Sequence, residues 1–177
     1  MPLQFVKEQS GSGSTVQLTD CFSSKYKTYK LDITALDMQN QVSLSMRFLN
    51  SSNAEITATN YDLARQTLYS HADFGQTRKT GQNRFEIDYY DTDATAYGIG
   101  VSMYIYNPFD SLYTYFVEQG SYYEQIAPGG DGTKQIGCLK ETTSATGLSF
   151  FQTTSGSLSG SIEAIAFQVY GVKWVIL

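Results

Sequence analysis

The chain holds a single histidine, His71, two residues before Asp73 in a polar stretch. One histidine cannot build a multi-histidine metal site, so the position reads as a solvated loop residue. Cys21 and Cys138 lie far apart without metal-ligand spacing. Two reduced, partly buried thiols are the default for a protein made in a reducing compartment, and a disulfide between them is the alternative. Asp88, Asp91 and Asp93 form the densest acidic cluster and could offer oxygen ligands to calcium, but they lack the ordered alternation and closing glutamate of the known calcium loop. Gly129-Gly130-Asp131-Gly132 opens no helix and reads as a turn rather than a phosphate cradle. No Gly-x-Ser-x-Gly elbow and no His-Glu-x-x-His helix occurs, and no carboxylate pair stands out for glycoside hydrolysis. The expectation is a protein that is not an enzyme and takes no cofactor or metal.

The aromatic residues carry more signal. Tyr104, Tyr106, Tyr113, Tyr115, Tyr122 and Tyr123 crowd into twenty positions. Tyrosine presents a rigid apolar body with a polar tip, which suits core packing, a subunit interface or stacking on sugars. All three readings stay open at this point.

The elements that must position these residues follow from composition and period. The 177 residues suffice for one domain with one core. Hydrophobic residues make up 41% and charged residues only 16%, with 19 Ser, 18 Thr, 14 Tyr and 15 Gly against 3 Pro, a mixture that favours strands and turns over helices. Twelve basic against seventeen acidic residues give a net charge of −5, and the basic ones are scattered, which argues against a nucleic-acid partner. No apolar run is long enough for a membrane-spanning helix, and the start Met1 to Glu8 lacks the basic flank and apolar stretch of a signal peptide, so synthesis and folding in the cytoplasm are expected.

Residues 1–16 read as an N-terminal arm, with Leu3, Phe5 and Val6 ahead of the flexible tract Ser10-Gly11-Ser12-Gly13-Ser14, and residues 17–177 as the folded domain. Beyond the tract the period is two. Tyr29, Leu31, Ile33 and Ala35 alternate with polar partners, as do Val42, Leu44, Met46 and Phe48, and with the turn at Asp37 to Asn40 they predict a hairpin with one wet face. Phe85, Ile87 and Tyr89 resume the alternation, and Ile99, Val101, Met103 and Ile105 face inward until Asn107-Pro108 ends the strand. Tyr113 to Tyr123 reads as a strand pair, Ala127 to Thr133 as a loop, Ile136 to Leu139 and Leu148 to Phe151 as strands, and Ile162, Ile165, Phe167 and Val169 with the terminal Trp174 to Leu177 as a long final strand. Only Tyr61 to Tyr69 is compatible with a short helix. The fold class is therefore all-β, an antiparallel β-sandwich or jelly roll of eight to ten strands. Leu31, Ile33, Leu44, Met46, Ile87, Val101, Met103, Phe167 and Val169 are expected to share its core.

Three stretches together resemble a known family. Cys21-Phe22-Ser23-Ser24-Lys25-Tyr26-Lys27-Thr28-Tyr29, leading into an alternating strand, is similar to the opening of small β-sandwich virion proteins of tailed bacteriophages of the marine and cyanobacterial type. Ile105-Tyr106-Asn107-Pro108-Phe109 resembles the central strand of that family, and Gly156 to Ile162 with Val169-Tyr170-Gly171-Val172-Lys173 resembles its closing phrase. Residues Glu163 to Gln168 separate elements that usually run together, and Trp174 to Leu177 extends past the usual end. The resemblance implies a non-catalytic structural protein on the virion surface, decorating or projecting from the capsid or another shell component. A tail-fibre-type receptor- or glycan-binding module is the alternative. Expected partners are other virion proteins, a further copy of the chain, or a host surface glycan, without membrane insertion. Leu3, Phe5, Val6, Trp174, Ile176 and Leu177 are the docking candidates, because apolar side chains at the two ends need a surface to pack against. The six tyrosines are the interface or glycan candidates.

Overall fold

The computed structural model describes residues 2–38, 43–87, 99–124, 129–153 and 160–173. These form an antiparallel β-sandwich, and no described residue is helical. Twelve strands are described: β1 (Leu3–Gly13), β2 (Thr15–Leu18), β3 (Thr28–Met38), β4 (Leu44–Leu49), β5 (Tyr61–Tyr69), β6 (Gly75–Gln82), β7 (Phe85–Ile87), β8 (Gly100–Tyr106), β9 (Thr114–Glu124), β10 (Gly129–Leu139), β11 (Gly147–Gln152) and β12 (Ile162–Val172). One sheet has eight strands in the order β1-β12-β3-β8-β9-β10-β5-β6, the other four in the order β2-β11-β4-β7.

The Ser-Gly tract is a strand and a corner, not a linker. β1 pairs antiparallel with β12 from Leu3 opposite Val172 to Gly13 opposite Ile162. Gly11 is small because a Cβ there would sit 2.7 Å from Val16 Cγ1, and Gly13, with φ of 125°, lets the chain turn from the large sheet into β2 of the small one. Lys7 Nζ and Gln9 Nε2 each donate 2.5 Å hydrogen bonds, to the carbonyls of Thr19 and Gln17, which tie β1 to the segment that follows it. The glycines thus serve close approach and a turn, two uses that composition cannot separate from flexibility.

The expected hairpin is also corrected. β3 pairs with β12 and β8, whereas β4 pairs with β11 and β7 in the opposite sheet. Alternation fixes which side chains face the core, not which strand lies alongside. The β3 alternation itself slips at Thr34 and Ala35, both exposed, so that Leu36 and Met38 are buried in place of Ala35, next to an irregularity in the pairing with β12. Nor does β4 have a wet face: Ser45 is buried, and Arg47 donates from Nε to the Asn83 carbonyl (2.8 Å) and from Nη1 to Glu55 (2.6 Å).

Tyr61 to Tyr69 is strand β5, held between β10 and β6, so tertiary pairing overrides the helix-tolerant residues at its centre. Tyr113 to Tyr123 is not a strand pair, since Thr114 to Glu124 run as the single strand β9. The glycines of the expected 127–133 loop continue as β10 from Gly129. The additional strands β1, β2, β5 and β6 raise the described number to twelve, although the expected pair at 113–123 is a single strand. Tyr89 and Val42 lie outside the described residues.

All nine expected core residues are buried in one cluster. Edge-to-face aromatic pairs join the sheets through Phe85, which meets Tyr61 (4.7 Å between centroids) and Phe116 (4.6 Å) of the large sheet, while Phe150 of β11 lies 4.7 Å from Phe167 of β12. Met103, fully buried in this cluster, is expected to cost about 2–5 kcal/mol when truncated to alanine. Equilibrium denaturation checks this.

Near the β6 edge, Glu86 binds Lys79, and Arg84 Nη2 lies 3.3 Å from its other oxygen. Burial alone would raise the Glu86 carboxyl, but the hydrogen bond and charge of Lys79, with the charges of Arg84 and Arg65, outweigh it and hold the group below its ordinary 4.5. A carboxyl depressed on folding adds stability above its unfolded value, and that stability is lost as pH falls through the folded value. Glu86→Gln is therefore expected to flatten the loss of stability below pH 4.5, read from urea midpoints across an acid series.

Candidate binding surface

The small sheet covers one face of the large sheet. The other face, among the described residues, carries the exposed apolar side chains of the strands. Because residues paired across neighbouring strands point the same way, the registers give rows that cross the whole sheet. One row runs Phe5, Tyr170, Lys30, Tyr104, Val117, Ile136, Ala64, Arg78 from β1 to β6. It is apolar through its middle, with Val117 46% and Ile136 58% exposed. On one side it is flanked by Tyr106, Tyr115 and Cys138. On the other side lies a row without an apolar side chain: Glu8, Gln168, Asp32, Ser102, Gln119, Lys134, Gln66, Gln76. Seven interstrand steps make each row about 34 Å long.

The six tyrosines are thus divided. Tyr104 and Tyr115 are exposed on the open face, Tyr106 and Tyr123 are half-buried, and Tyr113 is exposed just ahead of β9. Tyr122 is buried and belongs to the inner face. The alternation of β9 decides this, so the adjacent Tyr122 and Tyr123 fall on opposite sides.

The N-terminal docking candidates sit at an edge. Leu3 and Phe5 are exposed on β1, with the Phe5 ring 5.9 Å from that of Tyr170, while Val6 packs against the core. Trp174, Ile176 and Leu177 lie outside the described residues, as do Asp88, Asp91 and Asp93. Among the described residues no group of three His, Cys, Asp or Glu is placed to hold a metal ion.

His71 lies in an exposed bend, as expected, but it has a partner. Its Nδ1 lies 3.5 Å from Asp131 Oδ1, on a carboxylate with no exposure, and its ring lies 5.7 Å from that of Tyr69. Asp131 Oδ1 also accepts from the Ser70 amide (3.3 Å). Asp131 is on a strand rather than in a turn, which is why sequence spacing gave no sign of the pair.

Both cysteines are free thiols. Burial pushes Cys21 up to about 12, only partly opposed by Lys7 and a backbone hydrogen bond. Burial and the charge of Asp62 raise Cys138 as well, against Lys140 and Tyr115, yet its side chain belongs to the open face. Since the thiolate is the reactive form, native protein is expected to react slowly with maleimide, at Cys138 well before Cys21. Peptide mapping checks the order.

Parts of the stretches named for their resemblance, around Tyr26, Asn107 and Gly171, meet at one corner, while Gly156 to Ser159 lie outside the described residues. The Tyr26 ring lies against Gly171, where any Cβ would collide with it. The Asn107 amide donates to the Lys27 carbonyl (2.7 Å), and Lys27 pairs with Asp110 at 2.5 Å. Asn107 has φ of 57°, a left-handed turn that asparagine tolerates. No family model, curated protein or solved structure matches the chain.

Proposed function

We propose that the chain is a non-catalytic structural protein on the surface of a tailed-phage virion, attached to a capsid or other shell component. The observation that carries this reading is the corner just described. Segments around residues 26, 107 and 171 are remote in sequence, carry the resemblance to small virion β-sandwiches, and pack on one another through Tyr26, Asn107 and Gly171. Their roles are fold-specifying: a ring on a glycine, a left-handed turn and a strand stop.

Attachment is assigned to the β1 edge. An outer strand offers unpaired backbone groups along its free side, and here Leu3 and Phe5 add exposed apolar area. Removing residues 1–9 would also strip the pairing partner from β12, so truncation confuses docking with stability. Leu3→Asp combined with Phe5→Asp leaves the backbone pairing in place. The protein is expected in purified particles by mass spectrometry, and the double variant is expected to keep its melting temperature while losing particle association. Absence of the wild-type chain from particles would falsify the virion assignment; full occupancy by the double variant would move attachment off β1. Stoichiometric zinc in the purified protein would contradict the non-catalytic reading.

The second reading, a tail-fibre-type receptor- or glycan-binding module, draws on the aromatic rows of the open face. Phe5 opens one of these rows, but the grooves of the face are lined from β3 to β6 and not by β1, so edge attachment and face recognition are compatible.

A further inference from the structure

We infer that the open face of the eight-stranded sheet is a binding platform for an extended, uncharged polysaccharide lying across the strands. This rests on the chain being a non-catalytic binding protein, not on its place in a virion. Two grooves of about 770 and 620 Å³ adjoin on this face and share Val117, Glu118 and Gln119 among their lining residues. The first is lined by Asp32, Ser102, Tyr104 and Ser121, the second by Gln66, Gln76, Lys134 and Ile136. Together they follow the two neighbouring rows, one apolar and aromatic, the other polar, over β3, β8, β9, β10, β5 and β6.

The chemistry of the rows selects the ligand class. A sugar ring has an apolar face, which stacks on tyrosine, and a hydroxyl rim, which needs donors and acceptors in the plane alongside. Glutamine supplies both from one planar group, and Gln119, Gln66 and Gln76 stand on three of the four strands β9, β10, β5 and β6. Adjacent strands place successive side chains about 4.8 Å apart, close to the advance of one pyranose in an extended chain. An apolar protein surface laid here would strip water from these amides without replacing their hydrogen bonds, which is costly. A polyanion would meet only Lys134 and Arg78 in the second groove, on separate rows, since Lys30 is already paired with Asp32, and it would approach a chain with net charge −5. Amide-rich and aromatic, with acidic and basic side chains interspersed, the face matches a neutral hydroxylated polymer.

Affinity electrophoresis of the full chain through gels containing mannan, dextran, galactomannan, hydroxyethyl cellulose or dextran sulfate tests this, with an array of neutral microbial glycans beside it. Retardation is expected in at least one neutral gel, or capture on the array, and it should persist at high salt. Tyr104→Ala and Gln119→Ala should each weaken binding about tenfold. Both sites are on the surface, so melting should be unchanged. The bound polymer should also slow maleimide labelling of Cys138, the thiol built into the flanking row, while Cys21 labelling stays the same. Three results overturn the inference: no neutral polymer or glycan bound by wild type, retention by dextran sulfate alone, or binding undiminished in the Tyr104→Ala, Gln119→Ala double variant. A dimer that protects Cys138 and reverts to monomer with Tyr104→Ala also overturns it, because a second copy would then cover the face. None of these results bears on whether the chain is found in particles.

Discussion

Phe85→Ala is expected to destabilise the fold by about 3–5 kcal/mol, enough to consume much of the stability of an ordinary domain. Among the described residues β7 is three residues long and is the outer strand of the small sheet, pairing with β4 through Met46 opposite Phe85. The phenylalanine ring is its main contact with the core. That ring is fully buried, edge-to-face with Tyr61, Phe116 and Phe48, the last at 6.2 Å. Truncation leaves a cavity walled by three rings too large and too constrained to collapse into it. The Tyr61 hydroxyl donates to the Ile56 carbonyl (2.7 Å) and accepts from the Phe48 amide (3.2 Å), which further pins one wall. Thermal and urea unfolding should show the full loss, with Phe85→Leu recovering part of it. A variant within 1 kcal/mol of wild type, roughly the effect of an ordinary surface change, would refute this account of the core.

Gly147→Val is the second large effect. A Cβ at Gly147 would collide with the Leu18 carbonyl oxygen and sit 3.1 Å from Thr19 Cα. Both obstacles are backbone, so no rotamer change relieves them, and β11 must separate from β2. The same junction holds the Cys21 and Phe22 amides on the Thr146 carbonyl, at 2.9 and 3.1 Å, and the Thr146 amide on Leu49. Overpacking of this kind costs about 1–3 kcal/mol or more. The local signature is more telling than the size: Cys21, at that junction, should become reactive to maleimide in the folded variant. Gly130→Ala is the matched control, since nothing lies within 4 Å of its added Cβ, and a gain of about 0.4–1 kcal/mol is expected from the stiffer unfolded chain. If Gly147→Val melts like wild type with Cys21 still protected, β11 and β2 are not packed as described.

What the sequence made legible was side-chain direction. Val101, Met103 and Ile105 inward and Tyr104 outward could be read directly, because a strand's period is two whatever it pairs with. Pairing was not legible. Nothing local in Leu31 or Leu44 says that their strands belong to opposite sheets, and nothing in Ser-Gly-Ser-Gly says that a neighbour 156 residues away will pair with it (Ser10 with Ala166). The rows of the open face depend wholly on pairing. Ile136 in isolation reads as core, and it is exposed because its strand neighbours Gln135 and Gly137 take the inner face. Only the register shows that Ile136 stands beside Val117 and that Gln119 stands beside Lys134. The tyrosine cluster falls on and around β8 and β9 without distinguishing Tyr122, which is core, from Tyr115, which is surface.

The position of β12 between β1 and β3 has a consequence for how the molecule comes into being. The strand made last of the twelve must enter between two of the earliest, so on a ribosome β1 and β3 wait as unpaired edges until residues 162–172 emerge. Closing such long loops is entropically slow, and folds dominated by distant pairings reach the native state in milliseconds to seconds rather than microseconds. During that interval the two bare edges are templates for any other extended chain nearby. Nascent copies made in quantity at one place would therefore compete between inserting their own β12 and accepting a neighbour's, and the yield of monomer should fall as the rate of synthesis rises.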